Sequence, residues 1–578
     1  MKKIIMSVIA AVILISCDLE KYPLDKVTPQ TFYNSASDLK LHTNSFYKMV
    51  PSAEEVYNEG QDNIIKSDVS DEMRGTRIVP TSGGGWSWGD LRNINFYLEN
   101  SVKCKDLVAR NRYDAVARFF RAWFYYDMVA RFGDVPWYEK AMAETDTEAL
   151  TKPRDSRMFV IDKIMADLDF AIANLPAGKT VNEISKWTAL SLKARVCLFE
   201  GTFRKYHTEL KLVDADKFLG YAAAAASEVI AKSGYTIYKT GNPKTDYMML
   251  FASINAISSE VILARSFSND VQVYHNVNYY TMTASYGRPG VEKAVLDSYL
   301  MADGTRFTDQ PGYKTMQFFE ETQNRDPRLS QTIRTPGYTR IGNTATLVPE
   351  FGSTMTGYQL IKFVADESWD TYAKSANDMP VFRYAEVLLI FAEAKAELGT
   401  LTQEDLDMSI NKIRGRVAMP SLNKDAANAN PDSKFALLNA NVSGANKGVI
   451  LEIRRERRVE LIMESQRWND ILRWKDGATT SRPFLGMYFP ALGVYDLDRD
   501  GKKDVCIYEG KKPALGNLQY LKINSDITLN GGKSGNVITN PKIKKSWREE
   551  RDYFYPIPIQ ERLLNPNLTQ NSNWDDGI

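Results

Sequence analysis

This chain predicts a mainly α-helical fold, with helices stacked in pairs and long irregular segments wrapped around them. Three observations carry that expectation: apolar residues recur three and four positions apart, the periodic stretches stop at Gly or Pro, and small residues mark helix faces. Residues 112–132 place Val116, Phe119, Trp123, Tyr126 and Ala130 on one stripe and stop at Gly133, with Pro136 just beyond. Residues 156–175 repeat the pattern and end at Pro176. Helices are expected next over 186–203 and 217–232, the second carrying five consecutive alanines before Gly234. Further on, 380–398 and 403–417 read as helices, and Ala385, Ala392 and Ala396 give the first of these a small-residue face.

Small residues let helices approach closely, as in tetratricopeptide-type solenoids. No strict period of about 34 residues accompanies them, so the pairing rests on helix spacing alone. Between the helices lie long Gly- and aromatic-rich stretches at 60–95, 268–290, 335–378 and 477–555. Loops that long inside a folded chain are usually functional.

The N-terminus indicates a compartment. Met1 is followed by Lys2 and Lys3, an apolar run from Ile4 to Ile15, and then Ser16-Cys17. A positive start, a short apolar core and a small residue before a cleavage position make a secretory signal. The run is well short of the ~20 residues a membrane-spanning helix needs. Leu14-Ile15-Ser16-Cys17 resembles the lipobox of bacterial lipoproteins. That likeness implies cleavage after residue 16 and acylation of Cys17, palmitate included, at ~0.8 kcal/mol of anchoring per buried CH₂. Residues 1–16 are therefore expected to be a signal peptide. Residues 17–35, with Pro23 and Pro29, are expected to be a tether, and 36–578 the fold.

Composition excludes several classes. The chain has 73 basic and 72 acidic residues, and loss of Lys2 and Lys3 with the signal leaves 71 against 72. Such a nearly neutral chain has no global field to draw it to nucleic acid. Cys104, Cys197 and Cys506 are odd in number and scattered, unlike a disulfide framework, and Cys197 reads as a buried thiol. His42, His207 and His275 stand far apart, which argues against a His-rich zinc site and offers little for Ser-His chemistry.

The most concentrated charge pattern is 450–474, ILEIRRERRVELIMESQRWNDILRW. Arg454, Arg455, Arg457 and Arg458 interleave with Glu452, Glu456, Glu460 and Glu464, so the stretch carries mixed signs rather than a basic stripe. Glu452–Arg455 and Glu464–Arg467 sit at helical neighbour spacing. A salt-bridged helix buried along Leu461, Trp468 and Ile471 is expected.

From Glu456 to Asp470 the same segment reads ERR-x-EL-x-x-E-x-x-RW-x-D, which resembles the C-terminal signature of the SusD/RagB family. Other landmarks agree in order: Arg325-Asp326-Pro327-Arg328, the run from Pro380 to Leu389, Asn411-Lys412-Ile413-Arg414, Pro556-Ile557-Pro558 and the run from Asn565 to Asn571. The N-terminal half adds the run from Arg121 to Tyr126 and that from Phe132 to Pro136. The resemblance covers essentially the whole mature chain. It implies one compact helical unit with tetratricopeptide-like pairs, divided at about 290 into an N-terminal part and a SusD/RagB part. It also implies an outer-membrane lipoprotein facing the cell exterior. Such a protein binds glycans without catalysis and passes them to a SusC-like TonB-dependent transporter. A peptide-binding member of the family is the alternative, and a secreted glycoside hydrolase is a further one, since carboxylates that converge only in the fold leave no mark in spacing.

Trp86 and Trp88, in the run TSGGGWSWGD, follow three glycines and suit a platform of exposed rings. Aromatic faces stack on the C–H side of sugar rings, and nearby guanidinium groups such as Arg74 and Arg77 donate to hydroxyls. If the stretch is locally extended, the two rings point to opposite sides. The family resemblance adds a second set from loops before the conserved C-terminal part: Tyr279, Tyr280, Tyr286 and Arg288, then Trp369 and Tyr372. Asp496, Asp498, Asp500 and Asp504, with Gly501, match the first half of a calcium loop, but the twelfth position is Ile507 rather than Glu. A weak structural calcium site and a metal-free Asp/Gly turn both fit that pattern.

Overall fold

The computed structural model describes residues 32–143 and 145–575; the signal and Cys17 lie outside the described residues. Helix occupies 43% and strand 9%, so the mainly α expectation holds. Helix α1 is Ala36–Asn44, α2 Gly89–Ser101, α3 Leu107–Phe132, α4 Arg157–Asn174, α5 Lys186–Tyr206 and α6 Ala215–Lys232. Later come α7 (Tyr384–Glu397), α8 (Lys447–Glu460) and α9 (Arg467–Arg473). Capping chemistry sets the starts. The Asp106 carboxylate accepts from the amides of Val108 and Ala109, so α3 begins at Leu107 rather than 112. Ser156 caps α4, and Ser185 and Thr188 form a capping box on α5. Gly133, at φ 75°, stops α3.

The helices stack in pairs, α3 with α4 and α5 with α6, and α6 continues onto α7 and α7 onto α8. Close approach has local causes. A Cβ on Gly201 would lie 2.9 Å from the Leu219 backbone nitrogen, and one on Gly448 would lie 1.9 Å from the Ala427 carbonyl oxygen.

Three expected helices differ. Residues 379–383 form a strand, β2, which pairs with β1 (Val261–Arg265) in antiparallel register, Pro380 opposite Ala264. Proline favours extended backbone before it, so the helix waits until Tyr384. The 403–417 stretch splits into Gln403–Met408 and Ile410–Arg416, because the Ser409 hydroxyl donates to the Asp405 carbonyl and competes with the helix ladder. The 450–474 stretch breaks between α8 and α9 at a turn with Met463 and Ser465 at φ 62° and 57°.

That break redirects the charges. Glu452 and Arg455 do pair (3.1 Å). Glu464 instead reaches Arg383 (2.6 Å) and Lys362 (2.6 Å), while Arg467 reaches Asp62 (2.7 Å). Arginines of α8 are buried all round rather than along one face. Glu460 alone takes Arg328 (3.1 Å), Arg383 (2.8 Å) and Arg416 (2.7 Å). Leu461 and Ile471 are buried as expected, and Trp468 is half-buried.

Strands β3 (Leu485–Phe489), β4 (Gly493–Tyr495), β5 (Val505–Tyr508), β6 (Gln519–Lys522) and β7 (Gly535–Ile538) make two small sheets, β3 with β7 and β4-β5-β6 with β5 and β6 parallel. Two large hydrophobic cores result, with a small third cluster at Met282, Ile361 and Val364. One fills the helix pairs, and the other lies between the long loops and the strands. Helix α8 feeds both, through Val449 and Ile453 on one side and Val459 on the other.

Candidate functional site

Two of the long loops meet at the surface of the second core. The backbones of His275 and Ser375 exchange hydrogen bonds (2.9 and 3.2 Å). The Asn278 amide donates to the Asp366 carbonyl (3.0 Å) and the Asp370 carboxylate (3.1 Å), which Arg340 holds from the other side (2.7 and 2.8 Å). This clamp sets the short helix Val277–Met282 beside the 366–374 turn. Tyr279 then lies 5.9 Å from both Tyr286 and Tyr372, the latter edge-on, and Tyr372 is 66% exposed. Buried Tyr280 supports Tyr286 from below at 5.6 Å and packs on Tyr57.

Polar groups ring this cluster. The Tyr286 hydroxyl donates to Glu54 Oε1 (2.8 Å), which also accepts from the Asn276 amide (3.3 Å). Burial and the Glu54 charge push the Tyr286 phenol up to about 12, so it stays a donor. The Lys66 ammonium donates to Asn58 (2.7 Å), and its stem runs beside Gly287. Glu54, Asn58, Lys66 and Asn276 carry no signal in the sequence; they arrive through packing of helix Ala53–Tyr57 and the strand residues Ile64–Ile65 against Gly290–Val291.

Other candidates are placed differently. Trp369 ends the turn Glu367–Trp369 on the same loop as Tyr372 and is half-buried. Arg288, at φ 52°, donates to the Phe351 carbonyl and, at 3.4 Å, to that of Thr354, so its guanidinium is turned onto the backbone. Arg74 is exposed at the end of helix Asp71–Arg74. Arg77 is buried on Asp552 (3.2 Å) and Tyr555, a scaffold contact.

The tryptophan pair belongs to the first core. Gly83, Gly84 and Gly85 all take positive φ, and the Arg131 guanidinium donates to the Gly84 carbonyl (3.0 Å), which pins the turn to α3. Trp88 caps α2 with helical-bridge backbone, not extended, so the rings touch edge-on at 5.3 Å instead of pointing apart. Trp86 is 5% exposed against Phe132; Trp88 is half-buried on Phe124 and Tyr138. Trp88 also lines a hollow of about 260 Å³ with Leu91, Tyr138, Met142 and Leu150. No ring contact joins this hollow to the tyrosines among the described residues.

Asp496, Asp498 and Asp504 offer oxygens within 4.8 Å of one another, whereas Asp500 turns outward to Lys502 (2.6 Å). Burial, then neighbouring aspartates, raises Asp498 and Asp504, and Asp496 Oδ1 is buried without a hydrogen-bond partner. Gly501 N donates to Asp496 and Leu497 N to Asp504. Such a set of hard oxygens fits a calcium ion.

The helical scaffold thus presents aromatic rings and polar groups together on loops distant in sequence. The SusD family model matches residues 259–574, and a model described as "starch-binding associating with outer membrane" matches 39–199. The chain belongs to the SusD family. SusD-like protein P38 of Formosa agariphila is 22% identical over 517 residues, covering 82% of this chain and 91% of that one. SusD-like protein P2 of the same organism is 24% identical over 498 residues, with 80% and 89% covered. A SusD-like protein of Bacteroides fragilis superposes with a TM-score of 0.70 at 21% identity, covering 96% of this chain and 100% of that one. A SusD-like carbohydrate binding protein of the same species gives 0.67 at 22% identity, with 93% and 100% covered. At these identities the likeness to solved structures speaks for the fold.

Proposed function

We propose that this protein captures oligosaccharides at the Tyr279–Tyr286–Tyr372 cluster and makes or breaks no bond in them. The observation that carries this reading is the gathering of three half-exposed rings, with Glu54, Asn58 and Lys66 at their edge, by two loops distant in sequence. Ring faces supply flat apolar area at low entropic cost, and the polar rim reads hydroxyl groups. Trp369 extends the platform, the Trp88 hollow is a second subsite, Arg74 is an exposed donor outside both, and Arg288 holds the loop that carries Tyr286. Support from relatives is the Bacteroides fragilis neighbour of the same fold, a SusD-like carbohydrate binding protein.

In the same reading Cys17 carries the lipid anchor, and the protein faces outward from the outer membrane. It delivers its ligand to a SusC-like TonB-dependent transporter, and calcium braces the Asp496–Asp504 loop. Among the described residues no helix is long and apolar enough to cross a membrane. A glycan array followed by calorimetry tests the binding: at least one oligosaccharide is retained, without release of reducing ends, and Tyr372→Ala weakens it. Retention of peptides alone, or release of reducing ends, would overturn the proposal. For the anchor, Cys17→Ala should abolish palmitate labelling and shift the protein out of the membrane fraction; unchanged fractionation would refute it.

A further inference from the structure

The outer rings of the cluster, Tyr286 and Tyr372, ride on separate loops and flank Tyr279 at the same 5.9 Å. Neither loop is regular at that point, so side chains must fix where the rings stand. Asn276 is 9% exposed at the start of the short helix Val277–Met282, and its amide reaches both loops. Asn276 Oδ1 accepts from the backbone amide of Ala373 (2.7 Å), the residue after Tyr372. Asn276 Nδ2 donates to Glu54 Oε1 (3.3 Å), the same oxygen that takes the Tyr286 hydroxyl (2.8 Å).

Both ends of this amide are used, and only one orientation serves them. Turned over, Nδ2 would meet the Ala373 N–H and Oδ1 the Glu54 carboxylate, donor against donor and acceptor against acceptor. The residue it holds is strained. Ala373 stands at φ 53°, in the left-handed region that costs an alanine energy. Such backbone persists where its surroundings over-determine it. Here Asn276 grips one side of the loop, and the Arg340–Asp370 pair (2.7 and 2.8 Å) grips the other. Asp370 and Asn278 act on the Tyr372 loop, while Glu54 acts on Tyr286. Of these groups, Asn276 is the one that bonds to both sides.

We propose that Asn276 is a positioning residue of the tyrosine platform, holding Tyr286 through Glu54 and Tyr372 through Ala373 before a sugar arrives. The inference rests on the reading of this cluster as the capture site. Rings fixed in advance lose less freedom on binding than rings on loose loops, so Asn276 contributes to affinity through the rings it holds.

Dityrosine cross-linking reads this geometry with no sugar present, since ruthenium-sensitised photo-oxidation joins tyrosines whose rings are in contact. Peptide mass spectrometry of the wild-type protein is expected to find both the Tyr279–Tyr286 and the Tyr279–Tyr372 cross-link. Asn276→Ala should lower both yields severalfold, whereas Asp370→Ala lowers that of Tyr279–Tyr372 and Glu54→Ala that of Tyr279–Tyr286. Asn276→Asp keeps the acceptor for Ala373 and loses the donor to Glu54. It should therefore lower the Tyr279–Tyr286 yield and spare the other, and it decides the matter if Asn276→Ala does not fold. On a glycan array, Asn276→Ala is expected to hold the oligosaccharides that wild type retains about tenfold more weakly. A wild-type yield of either cross-link in Asn276→Ala overturns the proposal, as do equal changes of the two in Asn276→Asp. Undiminished retention with both cross-links lost overturns it as well. An array that retains no oligosaccharide counts against the capture reading alone, because the cross-links are read without sugar.

Discussion

Tyr372 and Trp86 show two jobs that aromatic residues do in this chain. Tyr372 leaves two-thirds of its surface in water and meets Tyr279 edge-on, so its removal should spare the fold. Tyr372→Ala is expected to weaken oligosaccharide binding by roughly 1–3 kcal/mol with an unchanged melt, as loss of a binding anchor does. Trp86, enclosed by Phe132 and Trp88, is a core residue, and Trp86→Ala should cost about 3–5 kcal/mol of stability while leaving affinity at the tyrosines intact. Calorimetry and thermal melts on both variants check the pair. A Gly-rich run before two tryptophans is visible in sequence, but its direction is not. The Arg131 hydrogen bond that folds the glycines inward comes from a helix almost fifty residues away, at a separation of 47. Glu54 and Asn276 were illegible for the same reason, since their contact spans 222 residues.

At the scale of elements, the signature helix was readable as charged and helical, but its partners were not. Local spacing nominates Glu464 for Arg467; the turn at Met463 and Ser465 sends them to Arg383 and Asp62 instead. Helix α8 is thus a hub to Arg328, Arg383, Arg414 and Arg416, residues brought by three separate segments. Because a buried charge without its partner is far worse than a neutral pair, Glu460→Gln should destabilise by about 3–5 kcal/mol, measured by denaturant unfolding. The calcium-type loop makes a weaker demand. If Asp496, Asp498 and Asp504 hold an ion, chelator should lower the melting temperature and Asp496→Asn should remove that response. An identical melt with and without chelator favours the metal-free turn, which Gly501 and the amides of Leu497 and Gly501 already stabilise.

Over the whole molecule, two cores share one buried ion-pair network, and pH acts on both through it. Periodicity and stop signals made the helix pairs of the first core legible; the second core is built of short strands and loops whose pairings have no local period. Carboxylates of the network fall into two classes. Burial pushes Glu393 up, but Arg473, with Arg457 and Arg454 behind it, outweighs burial and holds it at about 2. Its unfolded value is about 4.3. The unfolded chain therefore binds the proton more readily, and the stability contributed by Glu393 is present in full above about pH 5 and lost as pH falls toward 2. Glu59 has the opposite sign: burial raises it to about 7 despite hydrogen bonds from Met463 N and Asn63. The folded state keeps that proton where the unfolded state has released it, so stability declines as pH rises from about 4 to about 7. Denaturant midpoints across pH 2–8 are thus expected to peak near pH 5. Glu59→Gln should flatten the decline on the neutral side and leave the acid limb in place. A midpoint that climbs steadily to pH 8 in the wild type would show that Glu59 is ionised in the folded protein, and would place a negative charge beside Asp62 that the burial argument excludes.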